Sequence, residues 1–341
     1  MLWNSTGRRG GALLLLASLA LAGCSTGQQA ATSAPAATGA KTGTVNIAYL
    51  QKQGDQQYFV DQANGAKEEA KTLGDVNITV VNLGTDSNKA ISEVQSAIAR
   101  KVDGIIIVVP DQSIGPQVID LAKQANIPLM ASDDVIKDAS GAASPFTGFN
   151  GTAMGTAVGT KAAELYKASG WTAANTKILS VYKADLSVCK QRVDGAAAAF
   201  KAAVPDMPKV VDVGTDNSVT DALNKTGAVF TANQGTTNWV VWGCNDESET
   251  GAVTALQNAG VKPANINGVG LGAYLTCKDW KAKQDTGNKA ALFISGTEVG
   301  KAATKAMVDK VRNNIALPPE TIAKTNMVDK SNYEQAGVVC T

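Results

Sequence analysis

Short apolar runs alternate along the chain with longer segments in which apolar residues recur at helical spacing. The first run is Val45 to Leu50, and a stripe of apolar residues three and four positions apart then extends from Phe59 to Leu73. Gly74 is suited to end that helix. This alternation predicts repeated βαβ units and therefore parallel sheets.

The same alternation continues to the far end of the chain. Further strands are predicted at Ile78–Leu83, Ile105–Val109, Ile127–Ala131, Ile178–Tyr182, Val210–Val213, Trp239–Gly243, Val269–Leu271 and Ala291–Ile294. Helices are predicted around Ile91 to Ile98, Val118 to Ala125, Met154 to Leu165, Val188 to Ala203, and Val253 with Leu256. The series starts afresh near residue 151. We therefore expect an α/β protein with two Rossmann-like lobes, each built on a doubly wound parallel sheet.

The amino-acid composition disfavours several classes of function. The 341 residues exceed what one core usually organises, and 44% hydrophobic with 18% charged residues is ordinary for a soluble protein. Lys and Arg number 31 against 30 Asp and Glu, so no basic face for nucleic acid is expected. Histidine is absent, which removes the commonest general base and metal ligand. An enzyme is disfavoured, and no metal is expected.

One glycine-rich segment partly matches a dinucleotide-binding motif. Gly268-Val-Gly-Leu-Gly-Ala resembles a dinucleotide fingerprint, but its third glycine comes one position early and the segment lies late in the chain. We reject that interpretation and expect no cofactor. Trp239 and Trp242 flank an apolar strand and are expected in the core rather than at a stacking surface.

The amino terminus is typical of an export signal. Arg8 and Arg9 precede an apolar run from Ala12 to Ala20 that is too short to span a bilayer. The run ends in Leu21-Ala22-Gly23-Cys24, which resembles a bacterial lipobox. We predict a signal peptide over residues 1–23 and a lipid attached to Cys24, which would anchor the exported protein to the bacterial cell membrane. The alternative is a plain secretory signal with an incidental cysteine.

Residues 24–43 are small and polar and are expected to form a flexible tether. Export also bears on Cys189, Cys244, Cys277 and Cys340, because cysteines outside the cytoplasm can pair as disulfides. Three pairings are possible. A metal site is the rival interpretation, but the spacings contain no close Cys-x-x-Cys pair.

Polar side chains follow several predicted strands, where ligands bind in open parallel sheets. They are Lys52 with Gln53 and Gln56, Asp111, Asp133 with Asp134, Lys183 with Asp185, and Asn245 with Asp246. The set contains no nucleophile paired with a base. Carboxylates, amides and lysines instead match sugar hydroxyls, each of which both donates and accepts. Tyr58 and Phe59 add flat faces for the apolar side of a sugar ring.

Each of these groups also has a structural interpretation. Asp133 and Asp134 suit a solvated turn, and Lys52 and Gln56 suit the start of the next helix. Asn245 with Asp246 suits a helix cap, and Phe59 lies on the core stripe of its helix. Lys190 and Arg192 are also typical of an ordinary charged helix face.

Several patches resemble periplasmic sugar-binding proteins of ABC importers, the group related to ribose-binding protein and the LacI ligand-binding domain, and within it the arabinose-binding members. The resemblance extends roughly from Val45 to Glu334. Its sharpest patches are Leu50 to Phe59, Val109-Pro-Asp, Ala131-Ser-Asp-Asp, Gly170-Trp and Trp242-Gly-Cys-Asn-Asp.

The resemblance assigns roles residue by residue. A family lysine, acid and tryptophan correspond to Lys52, Gln56 and Tyr58, so the acid is an amide here. The paired aspartates correspond to Asp133 and Asp134, and a second-lobe asparagine to Asn245. A family arginine aligns with Lys190, with Arg192 as the alternative, and that substitution loses a bidentate fork. A further family asparagine or aspartate corresponds to Gly272, so one anchor is missing.

The resemblance also implies an architecture and a function. Three crossovers near Asn150, Ser295 and Asn326 would join a lobe of residues 44–149 plus 296–325 to one of residues 150–295 plus 326–341. The protein would bind an arabinose-like pentose or a hexose as a monomer and deliver it to an ABC permease. The alternative is a sensor subunit that presents its ligand to a receptor kinase or chemoreceptor.

Overall fold

The computed structural model describes residues 41–340. The predicted signal peptide, Cys24 and the tether before residue 41 lie outside this range. The described chain contains two six-stranded sheets, each flanked by helices. The predicted α/β architecture with two parallel-sheet lobes is confirmed.

The first lobe is built on a sheet with the strand order β11-β5-β4-β3-β1-β2, and all its pairings are parallel. Its strands are β1 (Val45–Lys52), β2 (Val76–Gly84), β3 (Gly104–Ile107), β4 (Leu129–Asp133), β5 (Phe146–Gly148) and β11 (Glu320–Ile322). Its helices are α1 (Gln57–Leu73), α2 (Ser87–Ala99), α3 (Gly115–Gln124) and α9 (Gly296–Asn313).

The second lobe repeats the plan with the order β12-β10-β9-β8-β6-β7, in which β12 alone runs antiparallel to its neighbour. Its strands are β6 (Thr176–Tyr182), β7 (Lys209–Gly214), β8 (Asn238–Gly243), β9 (Ile266–Gly272), β10 (Asn288–Ile294) and β12 (Thr325–Val328). Its helices are α4 (Gly151–Ala168), α5 (Ser187–Ala203), α6 (Val219–Thr231), α7 (Asp246–Asn258) and α8 (Thr276–Lys281).

The chain crosses between the two sheets three times. It leaves the first sheet after β5, returns to the first lobe after β10, and crosses again between Ile322 and Thr325. Asn150 and Ser295 cap α4 and α9 directly after the first two crossings, each accepting a backbone N–H three residues on. The third crossing falls slightly before the expected position at Asn326.

The core explains why the predicted strands form. β3 is buried along its whole length, as its uninterrupted apolar sequence predicts. Trp239 and Trp242 are fully buried in β8, so their expected core role is confirmed. The glycine-rich segment from Gly268 lies within β9 and not at a strand-to-helix turn, which agrees with rejecting the dinucleotide motif.

The four cysteines form two disulfides, as expected. The pairs are Cys189–Cys244 and Cys277–Cys340, with Cα atoms 4.9 and 5.6 Å apart. The first lies near the carboxyl end of β8, and the second ties the carboxyl-terminal segment to α8. Within residues 41–340, no helix has the length and apolar character needed to cross a membrane.

Candidate functional site

The two sheets create crevices at equivalent places. The strand order reverses beside β1 in the first sheet and beside β6 in the second, and loops diverge at the carboxyl ends of strands there. Lys52 ends β1 and Asp133 ends β4, while Asn245 follows β8. Most of the predicted polar groups therefore lie where the fold opens.

Lys52 and Asp134 form a buried ion pair on the wall of the first lobe. Lys52 Nζ lies 3.1 Å from Asp134 Oδ2, and the two side chains are 8% and 2% exposed. The other carboxylate oxygen, Asp134 Oδ1, accepts no hydrogen bond from residues 41–340. A buried acceptor without a donor costs about 1–3 kcal/mol, so this oxygen is suited to accept from a ligand.

Tyr58 and Asp133 form a second polar pair beside the first. The Tyr58 hydroxyl donates to Asp133 Oδ1 at 2.9 Å and accepts from Gln62 Nε2 at 3.0 Å. Burial raises the pKa of Asp133, the Asp134 carboxylate adds to the rise, and Arg192 of the second lobe opposes it.

Arg192 is the basic group that the second lobe contributes. It is buried on α5, and its Nη1 donates to the Cys244 carbonyl oxygen at 3.0 Å. Its Nε–H has no acceptor among residues 41–340. A buried donor in the second lobe thus complements the buried acceptor at Asp134 in the first.

The structure places two predicted site residues at the surface instead. Lys190 pairs with Asp194 at 2.8 Å, and both side chains are about 60% exposed, at 61% and 59%. Asp185 is 67% exposed beside Lys183, at 3.3 Å. Residues two apart on a helix lie roughly 200° apart around its axis, so Lys190 and Arg192 cannot both face the cleft. The buried basic group of α5 is Arg192, the alternative to Lys190.

Asn245 caps α7 and also holds a carboxylate. Its Oδ1 accepts from Ser248 N at 3.2 Å, while its Nδ2 donates to the Asn217 carbonyl at 2.9 Å and to Glu247 Oε2 at 2.7 Å. The Tyr274 hydroxyl donates to the same carboxylate, at 3.0 and 2.9 Å to its two oxygens. The second lobe therefore carries a tyrosine–carboxylate pair like that of Tyr58 and Asp133.

Sequence reasoning missed Glu247 and Tyr274. Burial raises the pKa of Glu247 to about 7, and the Asp246 carboxylate adds to the rise. Glu247 lies in the first turn of a helix, where acidic residues are common, so the sequence alone gave no reason to select it. Tyr274 follows β9, so the rule that selected polar groups after strands would have found it there.

Asp246, a predicted ligand group, is instead fully engaged inside the lobe. Its Oδ2 accepts from the backbone N–H groups of Leu275 and Thr276 at 2.6 and 3.1 Å, and its Oδ1 accepts from the Thr276 hydroxyl at 2.6 Å. The side chain is fully buried. These bonds fix the start of α8 and turn the Asp246 carboxylate toward the interior of the lobe.

The Tyr274 ring packs against the backbone of Gly272, the position at which the family resemblance expects an asparagine or aspartate. The backbone at Gly272 has φ +140°, and a Cβ there would lie 2.5 Å from the Tyr274 ring. A side chain at this position would therefore displace the ring.

The remaining predicted residues divide between structure and surface. Phe59 is buried and packs edge-on to Tyr58, with ring centroids 5.1 Å apart. Gln56 is half-buried before α1, and its side chain makes no capping bond. Asp111 accepts from Ser113 N at 2.7 Å, and the hydrogen bonds from Ser113 lower its pKa.

A cavity of about 410 Å³ lies between the lobes, beside the first crossing. Gln112 and Asp133 of the first lobe and Thr152 and Gln191 of the second lobe contribute to its wall, with Phe149 at the crossing. Its volume is in the range of small-ligand pockets. Asp133 thus borders both the buried polar cluster and open space.

A second cavity, of about 840 Å³, lies between segments 281–289 and 329–335. These segments are at the amino end of β10 and beyond β12, away from the carboxyl ends of the strands. No predicted site residue lines it. Across the described part of the chain, no cluster of His, Cys, Asp and Glu is arranged to hold a metal ion.

Two α/β lobes that are joined by three crossings and carry facing polar walls define the class of two-lobed periplasmic binding proteins. A family model described as periplasmic binding protein domain matches residues 47–315, and the chain belongs to this family. It is a binding protein and not an enzyme, in agreement with the expectation from sequence.

Curated relatives agree over nearly the whole chain. An ABC transporter L-arabinose-binding periplasmic protein from Azospirillum brasilense is 27% identical over 338 residues, which cover 97% of each chain. The L-arabinose-binding periplasmic protein of Escherichia coli K12 is 22% identical over 297 residues, covering 85% of this chain and 89% of that one.

Solved structures share the fold. One is an ABC transporter periplasmic solute binding protein from Actinobacillus succinogenes 130z with bound D-allose. It has a TM-score of 0.74 at 24% identity, and the match covers 86% of this chain and 100% of that chain. A Caulobacter myo-inositol binding protein has a TM-score of 0.75 at 21% identity, covering 86% and 95%.

Proposed function

We propose that this protein binds a neutral monosaccharide or small polyol between its lobes. Ten buried side-chain polar atoms have no partner among residues 41–340, and the observation that carries the proposal is that two of them belong to charged residues of the candidate site, one in each lobe. One is the acceptor Asp134 Oδ1 in the first lobe, and the other is the donor Arg192 Nε in the second. A hydroxyl group can both donate and accept, so neighbouring hydroxyls of one ligand satisfy both.

The charges of the site support a neutral ligand. Lys52 and Asp134 neutralise each other, and the positive charge of Arg192 lowers the pKa of the Asp133 carboxyl against the effect of burial. A charged ligand would leave one of these buried groups without compensation, which is costly at low dielectric. The names of the relatives, with arabinose, allose and inositol, agree with an uncharged polyol.

The test is isothermal titration of the purified protein with L-arabinose, D-ribose, D-allose, D-fucose and myo-inositol. We expect at least one to bind with micromolar or tighter affinity, and Asp134→Asn to weaken it about 10- to 100-fold through loss of a charged acceptor. Asp120→Asn, at an exposed acid of the same lobe, is the matched control. Binding of none of these polyols would contradict the proposal.

Delivery to an ABC importer by a monomer is the role proposed for the liganded protein. Its support is the family and the transporter names of the relatives. In cells lacking the gene, uptake of the bound sugar should fall. Intact uptake with loss of a sugar-dependent response would instead favour the sensor alternative, a partner of a receptor kinase or chemoreceptor.

We also propose that the protein is exported and anchored through a lipid on Cys24, with residues 1–23 removed and residues 24–43 as tether. The support is the charged, apolar and small-residue pattern of the amino terminus. Cys24→Ser should abolish labelling by a fatty acid and release the protein from membranes. Membrane retention of that variant would contradict the anchor.

A further inference from the structure

The disulfide Cys189–Cys244 lies directly behind the second-lobe wall of the cleft. Cys189 is in the first turn of α5, the helix after β6, and Cys244 follows the last residue of β8. These strands are neighbours where the strand order of the sheet reverses. Both cysteines are buried, at 1% and 2% exposure. The disulfide thus joins the two segments that border the crevice.

Each of those segments carries a group of the proposed site. Arg192 lies three residues after Cys189, on the same face of α5. Its Nη1 donates to the carbonyl oxygen of Cys244 at 3.0 Å. Asn245, which holds Glu247, follows Cys244 directly. The disulfide and the Arg192 hydrogen bond therefore connect the same two segments side by side.

A third segment joins through Asn217, after β7. Its Nδ2 lies 3.3 Å from Cys189 Sγ, and its Oδ1 accepts from Lys183 N at 2.9 Å. Its carbonyl accepts from Asn245 Nδ2 at 2.9 Å. The loops after β6, β7 and β8 thus meet around the disulfide.

The two lobes hold their basic groups differently. Lys52 is fixed by its ion pair with Asp134 within its own lobe. Arg192 has no carboxylate within ion-pair distance in the described chain, and its one hydrogen bond to an oxygen is to a backbone carbonyl. The position of this long side chain therefore depends on how its backbone is held against β8.

We propose that Cys189 and Cys244 are positioning residues of the binding site, because their disulfide holds Arg192 and Asn245 at the separation that the ligand requires. The inference rests on the proposed function. Without the covalent link the two segments move independently, and ligand binding must then order them, which lowers affinity.

The test compares two disulfide deletions by sugar titration and thermal unfolding. Cys277→Ala with Cys340→Ala is the matched control, because the two disulfides enclose loops of similar length, with separations of 55 and 63 residues. Both deletions should lower stability to a similar extent. Cys189→Ala with Cys244→Ala should also weaken affinity about tenfold or more, whereas the control should change it by less than about threefold.

A double-mutant cycle separates positioning from general destabilisation. Arg192→Ala should weaken sugar binding strongly in the control background and much less in the Cys189→Ala, Cys244→Ala background, because the arginine is already misplaced there. Equal losses in the two backgrounds would overturn the inference, as would unchanged affinity without the disulfide. If the alanine pair fails to fold, Cys189→Val with Cys244→Ala replaces more of the lost volume.

Hydrogen exchange distinguishes failure of this inference from failure of the proposed function. Removal of Cys189–Cys244 should speed amide exchange in residues 187–193 and 244–249, whether or not a sugar is present. If the wild-type protein binds no sugar, the proposed function fails, and faster exchange still supports the positioning of these segments. Unchanged exchange in both segments would overturn it.

Discussion

Glu247 is a buried acid whose ionisation is coupled to folding. Burial, with the Asp246 carboxylate adding to its effect, raises its pKa from 4.5 to about 7. Between these two values the folded protein binds more protons at this site than the unfolded chain does. The contribution of Glu247 to stability is thus fully present below about pH 4.5 and is lost as the pH rises through 7.

Glu247→Gln should remove this dependence. The amide keeps an acceptor for Tyr274 and carries no charge to bury. The free energy of unfolding of the variant should therefore rise relative to that of the wild type as pH rises from 5 to 8. The upper limit of the gain is about 3 kcal/mol. Urea unfolding of both proteins at the two pH values measures it. An equal difference at pH 5 and pH 8 would contradict the pKa shift.

Arg192 and Lys190 allow a second comparison of single residues. Arg192 is buried in the second lobe, and Lys190 is exposed and paired with Asp194. Arg192→Ala should therefore reduce sugar affinity about 10-fold or more, as expected for a lost charged hydrogen bond. Lys190→Ala should leave affinity unchanged in the same titration. The opposite result would show that Lys190, the residue that the family resemblance selects, is the basic group that binds the sugar.

Close helix pairs position the site residues. α4 packs on α5 through glycines, and a Cβ at Gly155 would lie 2.0 Å from the Arg192 carbonyl oxygen. Likewise, a Cβ at Gly296 of α9 would lie 2.3 Å from the Tyr58 carbonyl of α1. A larger residue at either position forces apart two helices, one of which carries a site residue.

Gly155→Ala should accordingly cost about 1–3 kcal/mol in unfolding free energy and also weaken sugar binding, because α5 must shift. Gly227 lies within α6, and a Cβ at this position would have no atom within 4 Å. Gly227→Ala is the matched control and should stabilise by up to about 1 kcal/mol. Denaturation and titration of both variants give the comparison. If Gly155→Ala changed neither the unfolding free energy nor the sugar affinity, α4 and α5 would be able to separate without energetic cost, which would contradict this prediction.

The limits of sequence reasoning also follow from particular elements. Long elements with apolar periodicity were predicted, such as β1 and α1. α6 was missed because its buried residues are Ala222 and Thr226, which give little hydrophobic signal. The short strands β5, β11 and β12 depend on neighbouring strands for their hydrogen bonds, so local sequence carries little information about them.

The site shows the same limit. The rule that ligands bind at the ends of parallel strands selected Lys52, Asp134 and Asn245, because it depends only on topology. It did not distinguish Arg192 from Lys190, since that choice depends on the rotation of α5. Nor did it separate Asp246, which turns inward, from Glu247, which meets Tyr274.

The polar walls of the two lobes are buried against each other. Tyr58 and Tyr274 belong to one apolar cluster that continues from the first lobe into the second, and Lys52, Asp134 and Arg192 are all at most 8% exposed. A sugar cannot reach groups covered in this way. We therefore expect the lobes to separate when ligand enters, with the three crossings as the segments about which they turn.

Ligand should consequently shift the molecule from open to closed forms, because contacts from both lobes are made together only in the closed one. Small-angle X-ray scattering should show a smaller radius of gyration when a saturating polyol is added to the wild-type protein. Asp134→Asn at the same polyol concentration should show little change, since it binds too weakly to favour closure. An unchanged radius for a wild-type protein shown by titration to be saturated would mean that ligand enters without lobe motion, in contradiction to the burial of Asp134 and Arg192.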